Sequence, residues 1–488
     1  MVGIIAAGAY VPIRRLQRSS IAEAHAWFAP ALAASAKGER AMAGWDEDSV
    51  TMAVEAARDA LVGRSRASIA SVIHASTSPP FADRQNAVLA KEALGLPDEV
   101  ETFDLTGGQR AGVSALLQAL RLSEAGAGEI LCLAGEKRRT QPGSELEMTS
   151  GDAAAAFLVG QGEIAAEFLG AHSVSIDFVD HFRAAGSEFD YAWESRWVRD
   201  EGYGKIAVDA VSGALRRLGV PPGELARFVM SAPLRGVNEA VAKACGIPAD
   251  RVHPALHDRL GDAGSAQPLV LLADALATAR LGDLLVLVGF GQGCDVLLFR
   301  ATGRRACPGL GVQGWLARRR PETNYVKFIA LNGHLALDRG MRAEFDQKTA
   351  VTALYRNRRA VLGLVGGRCP ETGAVQFPAT PIGLDGERRQ GEMEPYPFAD
   401  RLARVVTHTA DALTYSPDPP SYYGAIDFEG GGRMTVEFAD AEAEDIKVQA
   451  PVRMMFRIKA QDEIRGFTRY FWKAAPDFQA QVIAEAAE

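Results

Sequence analysis

At 488 residues, 48% hydrophobic and 23% charged, the chain has an ordinary soluble globular composition and enough length for roughly two to four domains. A formal net charge of −8 excludes a non-specific nucleic-acid surface, which would need a basic excess. The N-terminal MVGIIAAGAYVPIRR does not read as a signal peptide, and the longest wholly apolar run, Ala153–Val159, is too short to span a bilayer, so a cytoplasmic protein with no membrane partner is expected. Its five cysteines (Cys132, Cys245, Cys294, Cys307 and Cys369) form no CxxC pair and are expected as reduced thiols.

Taken in order, residues 2–8 predict a buried strand, and Ala22–Ala34 an Ala-rich helical stretch interrupted at Pro30. The segment 46–61, DEDSVTMAVEAARDAL, places acidic residues and Ser49 ahead of apolar residues at helical spacing, a well-marked helix start. A strand over Ala70–Ala75 runs into STSPPF, and a helix is expected over Asn86–Leu94. Thr102–Leu120, TFDLTGGQRAGVSALLQAL, predicts a strand end, a Gly-Gly turn and an apolar helix opening at about Gln109. A helix start offers free N–H groups and a favourable dipole for negative charge, so this is a place for a nucleophile or an oxyanion. Its side chain is nevertheless an amide. A strand over Glu129–Ala134 and the small-residue stretch Gly151–Gly160 close the first half.

The pattern then repeats. MAVEAARDAL (52–61) and IAVDAVSGAL (206–215) share Ala-Val, Ala and Ala-Leu at matching places, and each is followed by a strand end, His74–Thr77 and Val229–Ala232. RAGVSALLQAL (110–120) and DAGSAQPLVLLADAL (262–276) are paired helices, and LLVLVGFGQGCDVLLF (284–299) closes the second half on glycines. Two such halves predict parallel strands buried under shared helices, with ligands at strand C-terminal ends and helix N-termini. A basic connector follows at Arg304–Arg320, then helical pattern near Tyr325–Asp346. From about Ala360, short alternating strands between Gly/Pro turns predict a small antiparallel β-barrel. Within it, GRCPETGAVQFP (367–378) has one Cys where half of a zinc ribbon needs two.

DEDSVTMAVEAARDAL, STSPPFADRQNA (76–87), GDAAAAFLVG (151–160), DFVDHFRAAG (177–186) and GFGQGCDV (289–296) together resemble the thiolase superfamily, in particular its hydroxymethylglutaryl-CoA synthase-like and ketoacyl-ACP synthase III-like branches. The resemblance covers roughly residues 1–345; the tail resembles an acyl-CoA-associated OB-fold domain with a degenerate zinc ribbon. It implies an α/β, five-layer αβαβα thiolase-like duplication with halves at 1–165 and 166–303, a connector with helices at 304–359, and an OB-fold barrel at 360–476. It also implies an acyl-CoA or acyl-carrier thioester as substrate, no cofactor, no zinc, a homodimer through the thiolase-like domain, and a thiolase-like or hydratase partner.

Carried over residue by residue, the family's nucleophilic Cys falls on Gln109, its catalytic His on Ser231, its Asn on Asp262 and its general-base Glu on Thr77. Gly291 keeps the place of a backbone oxyanion donor. Gln109 either donates its amide to a thioester oxygen or fills a silent site; it cannot form a thioester. Asp262 is a candidate base or a helix N-cap, paired with Ser231, and His257 is the nearest His in sequence to it. His74 and Glu147 lie beside mapped positions, and Arg318–Arg320 could meet a CoA phosphate or simply face solvent. The expectation is an acyl-CoA C–C bond enzyme working without an acyl-enzyme, by a retro-aldol, aldol-type or decarboxylative step. The alternatives are a silent acyl-CoA-binding scaffold, or a hydroxymethylglutaryl-CoA or ketoacyl synthase by fold.

Overall fold

Val2–Tyr10 (β1) is buried at every position, as expected of small and aliphatic residues on a strand covered on both faces. It lies in the middle of a nine-stranded sheet. The computed structural model describes residues 1–344, 348–380, 382–384 and 393–477. Contacts divide the chain into two units: Met1–Gly44, Asp48–Val88 and Pro97–His334 form the first, and Trp45–Glu47, Leu89–Leu96 and the chain from Leu335 form the second.

In the first unit β1 is followed by helix α1 (Ser49–Ala60), β2 (Ile69–Ala75), β3 (Glu101–Leu105), α2 (Ala111–Glu124), β4 (Glu129–Glu136) and β5 (Ala153–Gln161). Then come β6 (Ala166–Ser175), α3 (Val208–Leu218), β7 (Leu225–Met230), α4 (Gln267–Ala277), β8 (Leu284–Phe290) and β9 (Gly293–Ala301). The sheet order is β7-β8-β9-β6-β1-β5-β4-β2-β3. The antiparallel β1–β6 pair is its seam. Outward from the seam both sides follow one plan: an antiparallel neighbour, then a reversal, then parallel strands. Val252, bridged in parallel to Phe228, stands where the second side's last strand would be. The internal repeat is thus visible as strand order.

One helix start falls where the sequence marked it and the other does not. The first is at Ser49, because the Asp48 carboxylate accepts from the Thr51 amide while the Thr51 hydroxyl accepts from the Asp48 amide, both at 2.8 Å. That capping box places the boundary inside the acidic run. In the second half, Ile206–Ala207 belong not to α3 but to a π-helical stretch, Val198–Ala207, that precedes it. Helix α1 is buried on all sides. Helix α2 packs on β4 and β5, α4 packs on β5 and β7, and the two helices touch, forming the middle layer.

In the second unit, β10 (Leu402–Asp411), β11 (Ser421–Phe428), β12 (Arg433–Glu437), β13 (Pro451–Asp462) and β14 (Phe467–Pro476) form an antiparallel sheet in the order β12-β11-β10-β13-β14. Just past β12, the Ala439 amide donates to the Ala474 carbonyl of β14 at 2.8 Å, and Phe438 bridges Ala474 in parallel, so the two edges meet. A three-stranded sheet of Val365–Arg368, Val375–Gln376 and Glu394–Pro397 carries Cys369 at its first turn. Residues 345–347, at the end of the expected helical stretch, and 381 and 385–392, within the expected barrel segment, lie outside the described residues. Among the described residues no helix is long and apolar enough to cross a membrane.

Candidate active site

Gln109 follows the Gly107–Gly108 turn, and α2 begins at Ala111, so Gln109 stands two positions ahead of the first helical residue. Its neighbour Arg110 anchors the turn by donating to the Val174 carbonyl (2.8 Å) and Ser175 Oγ (2.9 Å). The β8–β9 turn lies directly against it. A Cβ on Gly291 would sit 2.9 Å from the Arg110 nitrogen and 3.0 Å from that of Gln109, so only glycine allows this approach. The Gly291 amide itself donates to the Gly293 carbonyl at 3.0 Å.

The Gln109 side chain has two distinct ends. Its Nε2 lies 2.9 Å from His181 Nε2, and His181 Nδ1 lies 3.0 Å from Asp180 Oδ1. An amide nitrogen has only protons to offer, so this contact requires His181 to accept at Nε2 and carry its proton on Nδ1, toward Asp180. Gln109 Oε1 is buried without a hydrogen-bond partner among the described residues. It stands 2.9 Å from where a Cβ on Gly264 would be, and Arg138 Cδ stands 3.0 Å from the same point. Gly264 has a φ of 52°, so both its shape and its conformation make room for the amide.

On the far side of Gly264 is a second polar group. The Asp262 carboxylate accepts from the Gly264 amide at 2.7 Å, just ahead of the short 3-10 turn Gly264–Ala266 that leads into α4 and has Ala263 at its N-cap. Ser231 Oγ lies 3.2 Å from His257 Nε2 and 3.3 Å from Asp262 Oδ2. Burial pushes the His257 imidazole below the ordinary histidine range, against the pull of Asp262. A neutral His257 can exchange a proton with the Ser231 hydroxyl. The structure therefore brings Ser231, His257 and Asp262 together, and connects them to Gln109 through Gly264.

Thr77 is held differently. Its amide (2.6 Å) and hydroxyl (3.0 Å) both donate to Glu136 Oε1, and its carbonyl accepts from Arg183. Glu136 is fully buried at the end of β4 and also accepts from Ser265 in the 3-10 turn. Arg138 donates from Nε and Nη2 to Asp190 Oδ2 at 3.0 and 2.6 Å, and Arg183 reaches Asp190 Oδ1 at 3.3 Å. Burial alone would weaken the Arg138 charge, but Asp190, Glu136 and Asp262 hold its pKa above the ordinary arginine value.

His181, Arg138, Glu136 and Asp190 were not singled out from the sequence. The available signals were the charged AGEKRR run at a strand's C-terminal end and the DFVDHFR segment. Tyr203, inside the π-helical stretch, is also new. Burial raises its phenol pKa well above normal, Asp180 and Asp262 add to the shift, and its ring lies 4.3 Å from that of Phe290. Such a phenol stays protonated, so its O–H can donate a hydrogen bond and its oxygen can accept one. His74 is buried in the sheet, and Glu147 belongs to a separate group with His25 (3.3 Å) and Tyr325 (2.9 Å).

Cys132, Cys245, Cys294 and Cys307 are buried, and burial raises each thiol, Cys307 to about 12. They remain thiols at neutral pH. Among the described residues, no three His, Cys, Asp or Glu side chains are grouped so that they could hold a metal ion.

Residues 215–297 match the family model described as 3-oxoacyl-[acyl-carrier-protein] synthase III C terminal. The chain is 30% identical over 315 residues to hydroxymethylglutaryl-CoA synthase of Caldivirga maquilingensis, covering 63% of this chain and 89% of that protein. Among solved structures it is similar to beta-ketoacyl-[acyl carrier protein] synthase III of Thermus thermophilus, with a TM-score of 0.54 and 24% identity over 62% of this chain and all of the other (100%). It is also similar to MvaS in complex with 3-hydroxy-3-methylglutaryl coenzyme A, with a TM-score of 0.56 and 20% identity over 68% and 91% of the two chains. At these identities the structural likenesses establish the thiolase-like α/β fold and nothing finer.

Proposed function

The chain belongs to the hydroxymethylglutaryl-CoA synthase family, and from that premise we propose that it makes or breaks a C–C bond next to an acyl-CoA thioester without forming an acyl-enzyme. The observation that carries this reading is the amide of Gln109 at the mapped nucleophile position, held between His181 and Gly264, with every nearby thiol buried. In the retro-aldol direction, a β-hydroxyl on C3 gives up its proton, the C2–C3 bond breaks, and C3 leaves as an aldehyde or ketone. The bond's electron pair enters the thioester carbonyl as an enolate, which then takes a proton at C2. Gln109 donates to the enolate oxygen, and the Ser231–His257–Asp262 group moves the proton. Asp180, Asp190, Glu136 and Asp262 outnumber Arg138 and Arg183, both already engaged, so a carboxylated acyl group is poorly matched here. This favours an aldol-type step over decarboxylation.

The substrate is an acyl-CoA or acyl-carrier thioester, with no cofactor. The five strands β10–β14, joined at both edges, support an OB-fold barrel, whose strands curl into a partly open cylinder. The Cys369 turn is closed by main-chain bonds with Ala374 and Gly373, consistent with a ribbon that has dispensed with zinc. A homodimer through the first unit is supported by β3, an edge strand with Phe103 exposed. A cytoplasmic location and a thiolase-like or hydratase partner complete the proposal.

The test is incubation with β-hydroxyacyl-, β-ketoacyl- and malonyl-CoA thioesters and mass spectrometry of the products. Turnover should fall about a hundredfold or more in Gln109→Ala, as when an oxyanion donor is deleted. An acyl group found on the protein would overturn the non-covalent mechanism. One observation favours a second reading, a silent acyl-CoA-binding scaffold: the Gly291 amide is already taken by Gly293. Coenzyme A binding with no turnover of any thioester would select it.

A further inference from the structure

Two neighbours orient the Gln109 amide from opposite ends. On the nitrogen side, His181 Nε2 at 2.9 Å has to be an acceptor, and Asp180 at 3.0 Å from Nδ1 holds the ring in the tautomer that makes it one. On the oxygen side, Oε1 and Arg138 Nη1 lie 2.9 and 3.5 Å from the same point beside Gly264, so a cationic guanidinium borders the carbonyl end. Turning the amide over would place an NH2 beside Arg138 and a carbonyl against the lone pair of His181. Both changes are repulsive. The second N–H of Gln109 is then the one left for a ligand.

We propose that His181, held in one tautomer by Asp180, is a positioning residue that locks the Gln109 amide with an N–H presented to the thioester oxygen. The proposal rests on the reading of Gln109 as a donor to that oxygen. The charged and titratable groups that bear on the arrangement are Asp180 on His181's own segment, Tyr203, which interacts with Asp180, and Arg138 beside Gly264. Removing the acceptor at His181 Nε2 leaves the Gln109 amide free to turn.

The test measures kcat on a β-hydroxyacyl-CoA, and acetyl-CoA affinity by calorimetry, for wild type, Gln109→Ala, His181→Ala, His181→Gln, Asp180→Asn and the Gln109/His181 double alanine. His181→Ala should lower kcat about tenfold, the cost of one lost hydrogen bond to a working group. His181→Gln, which keeps an acceptor in that place, should recover most of that loss. Asp180→Asn, whose amide oxygen can still accept from Nδ1–H, should lower kcat less than His181→Ala does. The double alanine should be no worse than Gln109→Ala alone, since the residues act through one contact. Additive losses, or a His181→Gln variant no better than His181→Ala, would overturn the positioning role while leaving Gln109 in place. Indifference of both turnover and acetyl-CoA affinity to Gln109→Ala would instead remove the reading of Gln109 itself. If no thioester is turned over, the same non-additivity is read from acetyl-CoA affinity, and additive weakening there overturns the proposal.

Discussion

Gln109 and Gly264 depend on each other: the amide oxygen occupies the space a Cβ would need. In Gly264→Ala the new methyl would lie 2.9 Å from Oε1 and 3.0 Å from Arg138 Cδ, and an alanine would have to hold a φ of 52°. The backbone strain should cost about 1 kcal/mol of stability. The larger effect should be on turnover, because the amide must rotate away from its His181 contact. Thermal melts and kcat measured on the same preparations check this; a kcat loss no greater than the melting shift explains would show that Gly264 only shapes the turn. Gln109 itself was legible from its Gly-Gly turn and following helix. Its partner was not, since seventy-two positions separate it from His181 and no local pattern links them.

Elements reach the site through Glu136. This carboxylate at the end of β4 accepts from Thr77, in the loop after β2, and from Ser265, in the turn before α4, so it ties both halves of the repeat beneath the site. Glu136→Gln puts an NH2 against donors already aimed at an acceptor. A loss of about 1–3 kcal/mol is expected, read as a lower urea midpoint with an unchanged slope. If the midpoint does not move, Glu136 is not the tie. The repeat was legible because α1 and α3 carry the same small-residue pattern. Helix boundaries were less so: the Asp48–Thr51 capping box and the π-helical stretch before α3 arise from hydrogen bonding that apolar spacing does not encode.

For the whole molecule, pH dependence follows from histidines buried as neutral rings. Burial lowers the pKa of both His74 and His257. The unfolded chain, with histidines near about 6.5, then binds protons that the folded chain refuses. Stability is therefore complete above that value and falls as pH drops below it, by up to about 1.4 kcal/mol per pH unit for each histidine. Urea unfolding at neutral and mildly acid pH should show the decline, and His74→Leu should flatten its slope whatever it does to the absolute value. An unchanged slope would mean that His74 does not contribute to it. On the proposed non-covalent mechanism the whole chain should also keep its mass after incubation with acetyl-CoA, because the Gln109 amide cannot form a thioester.

Apart from the family resemblance that implied a thiolase-like core, the sequence by itself determined the two-half plan and the amide of Gln109 after a Gly-Gly turn. These depend on local spacing: apolar periodicity, glycine turns and a repeated helix signature all act within a few residues. Only the tertiary structure decided what surrounds Gln109. His181 and Asp180 on one side, Arg138 and Gly264 on the other, and the Ser231–His257–Asp262 group behind them come from separate stretches. Their chemistry depends on which atoms meet and how deeply they are buried, and packing alone sets that.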